Sequence, residues 1–178
     1  MAVQMDPNFI NRLAHLYIGA GHVHSNEYPN PEINAAMDPE AYHIVAENAT
    51  ADKVTFVQYS QVLSSLNITV DWRKNVLGAI QTSVMKALNG FERVSLPKES
   101  AWILLDPAVA AVVLDNDVVD EYKYTNNSIV LCGDQRGTNT NDFNSTTPNG
   151  RVTYKLNVEP YKKFLLKVYS AELNATYF

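Results

Sequence analysis

A single cysteine, Cys132, in 178 residues excludes an intrachain disulfide. Its flanks, "SIVLCGDQ", have the look of a strand end, where cysteine acts as a small buried apolar residue. No apolar run approaches the ~18 residues that a membrane-crossing helix needs. The opening "MAVQMDPNF" lacks a basic segment followed by an apolar one, so no signal peptide is predicted. Charged residues make up only 19%, with a net charge of −5, and lysine and arginine form no cluster. That balance excludes the basic footprint of a nucleic-acid binder. Catalytic motifs are also missing. There is no G-X-S-X-G elbow, and "LCGDQRG" lacks the lysine and the following helix of a phosphate loop. The sequence therefore predicts no catalytic residue, no enzyme and no cofactor.

What is present is a hydrophobic content of 46%, enough for one well-buried core, and residues 1–178 read as a single domain. The first half reads as helices. "DPNFINRLAHLYIGAG" has Pro7 at a first helical position and glycines at its end, Asp38-Pro39 starts a second helix through about Glu47, and "ADKVTFVQYSQVLSSLN" suggests a third, with a strand as the alternative. After residue 100 the apolar period changes to two, and "AWILLD", "AAVVLDNDVVDEYKY", "NSIVLC", "GRVTYKLNVEP" and "YKKFLLKVYSAEL" read as strands. The stretch 133–150 is nearly devoid of apolar residues and reads as a long loop. The fold class expected is α+β: helix layers packed on a mostly antiparallel sheet, with helices in the N-terminal half and strands in the C-terminal half.

The sharpest element is a helix expected from Trp72 to Phe91. At 100° per residue Trp72, Val76, Ile80, Val84, Leu88 and Phe91 share one side, with Lys74, Gln81, Lys86 and Asn89 opposite. Such a face closes a core or meets another apolar medium, and periodicity alone does not separate the two. "GHVHSNE" is the one tempting metal motif, because His22 and His24 on a strand would face the same way near Glu27. A polar, unliganded turn is the preferred reading, so no metal site is predicted. The carboxylates Asp115, Asp117, Asp120 and Glu121 read as a solvated hairpin tip. Asn-X-Ser/Thr sequons stand at Asn48, Asn67, Asn126, Asn144 and Asn174 and matter only in a secretory pathway.

The order "WRKNVLGAI", "SAWILLD", "YKYTNNSIVLCGDQRG" and "YKKFLLKVYSAEL" resembles the Cyt-type cytolytic toxins (cytolytic delta-endotoxins) and their fungal relatives. The matching positions are Trp72, Ala79, Ile80, Trp102, Ile103, Tyr122 and Tyr124, within Val70 to Leu173. The resemblance implies a non-catalytic, pore-forming cytolysin that is soluble, released or secreted without a signal peptide, and membrane-associated when active. A lipid membrane would be its partner, with self-association upon it. Trp72, Val76, Leu77, Ile80, Val84, Leu88, Phe91 and Trp102 are then the membrane-contact residues. Two alternatives remain open: a structural protein of a virus particle or other assembly, and a small-ligand or metal-binding module using His22 and His24.

Overall fold

The computed structural model describes residues 1–171. The sequon at Asn174 and the end of the last predicted strand lie outside them. Two short helices, α1 (Ala2–Met5) and α2 (Phe9–Arg12), lead into strand β1 (Leu16–Gly19). Helices α3 (Ile33–Met37) and α4 (Pro39–Glu47) precede β2 (Val54–Val57), α5 (Tyr59–Ser65) and the short β3 (Ile68–Thr69). Then come α6 (Val70–Asn75), α7 (Ser83–Glu92), β4 (Ala101–Trp102) and α8 (Leu105–Leu114). Strands β5 (Val119–Ile129), β6 (Asn139–Asp142) and β7 (Gly150–Leu156) are followed by α9 (Val158–Ser170).

The main sheet has the order β1-β2-β7-β5-β6. β1 runs parallel to β2, from Leu16 opposite Val54 to Gly19 opposite Val57, and β2 runs parallel to β7. β5 is antiparallel to both β7 and β6. All four residues of β2 are buried, as expected for a strand covered on both faces. Val54 and Phe56 enter one core with Ile10, Ala35, Tyr42 and Ala46, whereas Val57 enters the other with Val62, Ala108, Val112 and Leu165. A two-residue period thus splits the strand between two helical layers.

This architecture corrects the expected one. Strands occur in the N-terminal half, helices α8 and α9 occur late, and the sheet is mixed rather than mostly antiparallel. The physical reason is burial on both faces. A strand such as "VTFV" and a helix such as "LDPAVAAVVL" are then both near-continuous apolar runs, and composition cannot tell them apart. "YKKFLLKVYS" is helix α9, which buries Tyr161, Phe164 and Leu165 at helical spacing.

The long helix expected over 72–91 is also broken. Thr69 caps α6 by accepting from Trp72 N–H at 3.1 Å, a short 3₁₀ turn covers 77–79, and Thr82 Oγ1 caps α7 by accepting from Met85 N–H. A threonine side chain that binds the backbone three residues on starts a new helix rather than continuing the old one. The helix start at Asp38-Pro39 is seen as expected: Asp38 Oδ1 accepts from Ala41 N–H at 2.9 Å. Among the described residues no helix is long and apolar enough to cross a membrane.

Candidate active site

In a parallel sheet the chain leaves the carboxyl ends of neighbouring strands on one edge, and ligands collect there. The segments that follow β1 and β2 meet at such an edge: Gly19 leads to Ala20, Gly21 and His22, and Val57 leads to Gln58 and Tyr59. A cleft of about 510 Å³ opens between them, lined among others by His22, Tyr28, Glu32, Asn34, Tyr59 and Leu105.

Glu32 is the centre of this cleft. It is only 5% exposed, and its carboxylate accepts three backbone N–H bonds: Oε2 from Gly21 at 2.8 Å and Ala35 at 3.1 Å, and Oε1 from Asn34 at 3.0 Å. The first bond closes the β1 loop onto the carboxylate, and the other two make Glu32 the N-cap of α3. Each carboxylate oxygen has two acceptor positions, so Oε1 retains capacity for a ligand hydroxyl. Asn34 donates through Nδ2 to Gly19 O at 3.1 Å, which holds its exposed side chain over the end of β1.

His22 is 5% exposed and stacks on Tyr28, with ring centroids 3.9 Å apart. Burial holds its pKa below the ordinary value of 6.5, against a weaker upward pull from Glu32, so the ring is neutral at neutral pH. Its Nδ1 is buried without a hydrogen-bond partner.

The loop that carries these groups is anchored from the far edge of the sheet. Asn139 of β6 accepts from His22 N–H at 2.8 Å through Oδ1 and donates to His22 O at 2.9 Å through Nδ2. Asn141 donates to His22 O and to Val23 O, both at 3.0 Å. Ser60 Oγ accepts from Val23 N–H at 2.8 Å. Gly21 has φ +85°, and a Cβ there would lie 2.6 Å from Asn139 Oδ1, so both the turn and the close approach require glycine. The stretch 133–150, expected to be loop throughout, thus contains β6 and supplies this anchor.

The two histidines of "GHVHSNE" do not share an environment: His22 faces the cleft, while His24 is exposed beside the rings of Phe143 and Tyr154. Among the described residues no group of three or more His, Cys, Asp or Glu could hold a metal. Cys132, expected to be buried, is exposed.

The residues assigned to membrane contact do not form one surface. Leu77 and Trp102 are buried in a core with Met85, and Trp72, Ile80 and Leu88 pack half-buried against it. Val76, Val84 and Phe91 are exposed. What organises this region is a charge pair that periodicity did not indicate. Arg73, fully buried, donates to Asn89 Oδ1 at 2.9 Å and pairs with Glu92 at 2.7 Å, and Glu92 also accepts from Trp102 Nε1 at 2.9 Å.

Sequence reasoning missed Glu32 and Asn34, because a lone glutamate in a proline-rich stretch has no periodic signature. The available signal was "LYIGAG", a short apolar run followed by glycines, which fits a parallel strand and its ligand-side turn as well as a helix end.

Comparison with solved structures places the fold. The chain is similar to the plant nucleoside hydrolase PpNRh1 (20% identity, TM-score 0.77), which it matches over 96% of its own length and 57% of that chain. An inosine-guanosine nucleoside hydrolase gives 18% identity and a TM-score of 0.81, over 94% of this chain and 58% of that one. A purine-preferring ribonucleoside hydrolase from Gardnerella vaginalis gives 20% and 0.75, over 95% and 56%. The chain therefore spans little more than half the length of these neighbours. No curated protein matches the sequence.

A family model described as inosine-uridine preferring nucleoside hydrolase matches residues 1–163. This match and the shared fold overturn the cytolytic-toxin resemblance, and with it the pore-forming function, the non-enzymatic reading and the lipid membrane as partner. The toxin likeness rested on short aromatic and aliphatic patterns that any buried strand or helix can supply. With residues 1–163 matched by the family model, the chain belongs to the inosine-uridine preferring nucleoside hydrolase family.

Proposed function

We propose that this chain holds the ribosyl group of a nucleoside in the Glu32 cleft and takes part in hydrolysis of its N-glycosidic bond. The observation that carries this reading is the Glu32 carboxylate, buried at the strand ends, fixed by three backbone N–H groups and open to one further donor. A ribose presents hydroxyl donors, and Glu32 with the Asn34 carbonyl oxygen offers acceptors for them. Tyr28, Tyr59 and Leu105 provide apolar walls for a sugar and a flat base.

In the reaction the C1′–N bond breaks, its electron pair leaves with the base, and positive charge develops on the ribosyl carbon and ring oxygen. A water oxygen bonds to C1′ and one of its protons ends on the base, giving free ribose and free base. A carboxylate held in place before the reaction stabilises that developing charge without reorganising. Neutral His22, beside Glu32, adds no opposing charge.

The test is release of reducing sugar from inosine, guanosine and uridine by the purified chain and by Glu32→Ala. The expected result is release by the parent chain and a loss of at least about a hundredfold in the variant, the scale of removing one charge-stabilising group. No release from any of the three by the parent chain overturns the hydrolytic reading.

A further inference from the structure

The His22 ring is held in one orientation. It stacks on Tyr28, with centroids 3.9 Å apart and 8° between the planes, and Tyr59 stands tilted to it at 6.3 Å. Asn139 bonds both backbone groups of His22, and Ser60 holds the next residue, Val23. Buried polar groups are ordinarily paired, yet Nδ1 of this ring has no partner among the described residues. Nε2 is the ring nitrogen left toward the cleft that His22 lines.

A neutral imidazole carries one ring proton. On Nδ1 that proton would be a buried donor without an acceptor, which is costly. On Nε2 it reaches the cleft, where water or a ligand accepts it. The fold therefore selects the Nε2–H form. A second proton would have to sit on Nδ1, in keeping with the pKa that burial holds low. The result is a neutral donor, fixed in direction, beside a carboxylate that only accepts. Gly21, immediately before His22, donates its N–H to Glu32 Oε2 at 2.8 Å, so the ring and the carboxylate meet at one turn.

We infer that His22 is a hydrogen-bond donor to the bound ligand: Nε2–H donates to the oxygen of a ribose hydroxyl whose own hydrogen goes to Glu32 Oε1. This role rests on the proposed placement of a ribosyl group in the cleft and adds a residue that reads it. A hydroxyl satisfies both neighbours, because it donates one hydrogen and accepts through its lone pairs. An ether or carbonyl oxygen answers His22 alone, and an ammonium answers Glu32 alone. The pair selects an alcohol, and a sugar without a hydroxyl at that position loses both bonds. Tyr28, by stacking, keeps the plane of the ring and hence the direction of its N–H.

The probes are inosine and its 2′-, 3′- and 5′-deoxy analogues, added to the chain with ¹⁵N in its backbone and histidine rings. Ring nitrogens with and without a proton resonate far apart, so the free chain's spectrum reads the tautomer. Nε2–H is expected, and Nδ1–H overturns the inference before any ligand is added. Inosine is expected to move the His22 Nε2–H signal saturably, together with the Gly21, Asn34 and Ala35 amides. One deoxy analogue is expected to lose both responses. His22→Phe, which keeps a ring against Tyr28, is expected to weaken inosine binding about tenfold, the scale of one lost hydrogen bond. His22→Gln returns an N–H near the place of Nε2 and is expected to recover most of that loss. Amide shifts with the His22 ring unmoved overturn the inference and leave the ribosyl reading standing, whereas no response at either removes both. A Phe variant that binds like the parent, a Gln variant as weak as the Phe variant, or a ring response unchanged by all three analogues also overturns it.

Discussion

Asn139 and His22, 117 positions apart in sequence, are joined by two hydrogen bonds in which one side-chain amide pairs with both backbone groups of the histidine. The amide does for the β1 loop what a neighbouring strand does for a ladder. It fixes Gly21 and His22 while leaving the cleft side of the loop open. The polar edge strand β6 is thus part of the site's support.

Asn139→Ala is expected to destabilise the fold by about 1–3 kcal/mol, because His22 N–H loses its partner while Asn141 still serves the carbonyl. Amide exchange at Gly21, His22 and Val23 should accelerate beyond the global change, and affinity for nucleosides should fall with it. Hydrogen exchange read residue by residue checks this. A uniform acceleration over the whole chain would mean that the bond supports the core and not the loop.

The folded pKa values of His22 and His15 both lie below the ordinary 6.5, chiefly through burial, with Arg151 adding to the effect at His15. As pH falls below 6.5 the unfolded chain takes up these protons before the folded one does. Stability is therefore full above that value and declines as pH drops toward the folded values. Urea titrations at pH 7.5 and 5.5 should show the loss, and His22→Phe, which keeps an aromatic ring against Tyr28, should make it smaller. An unchanged pH dependence in that variant would remove His22 as its source.

Arg73→Met is expected to cost about 3–5 kcal/mol, because it leaves the Glu92 carboxylate and Asn89 without their buried partner. Adding Glu92→Gln, which can still accept from Trp102 Nε1, should recover part of that loss. Thermal melts of the two single variants and the double variant give the coupling directly. Simple additivity would show that the pair does not hold this region together.

How much of this was legible in the sequence follows from the kind of signal each part carries. Asp38-Pro39 is a local capping motif, and α4 starts there. β7 has the alternation of "GRVTYKL", and it is a strand. Elements buried on both sides lose their periodicity: α8 is apolar all round and reads as a strand, and β2 falls inside an expected helix. The cleft was hidden for another reason. Glu32, His22 and Asn139 come together only through the parallel pairing of β1 with β2 and the return of β6. Their chemistry is one carboxylate and backbone amides, with no spacing rule to announce it. In the sequence His22 stands out only as half of a His22/His24 metal motif, which its burial against Tyr28 does not support.

Whether the Glu32 cleft receives a ribosyl group is read most directly by nuclear magnetic resonance of the ¹⁵N-labelled chain titrated with inosine. The Gly21, Asn34 and Ala35 amides, which donate to the Glu32 carboxylate, should shift together in a saturable way, and Glu32→Gln should weaken the response at least tenfold. Saturable shifts confined to other parts of the molecule, or no shifts at millimolar inosine, would contradict that reading.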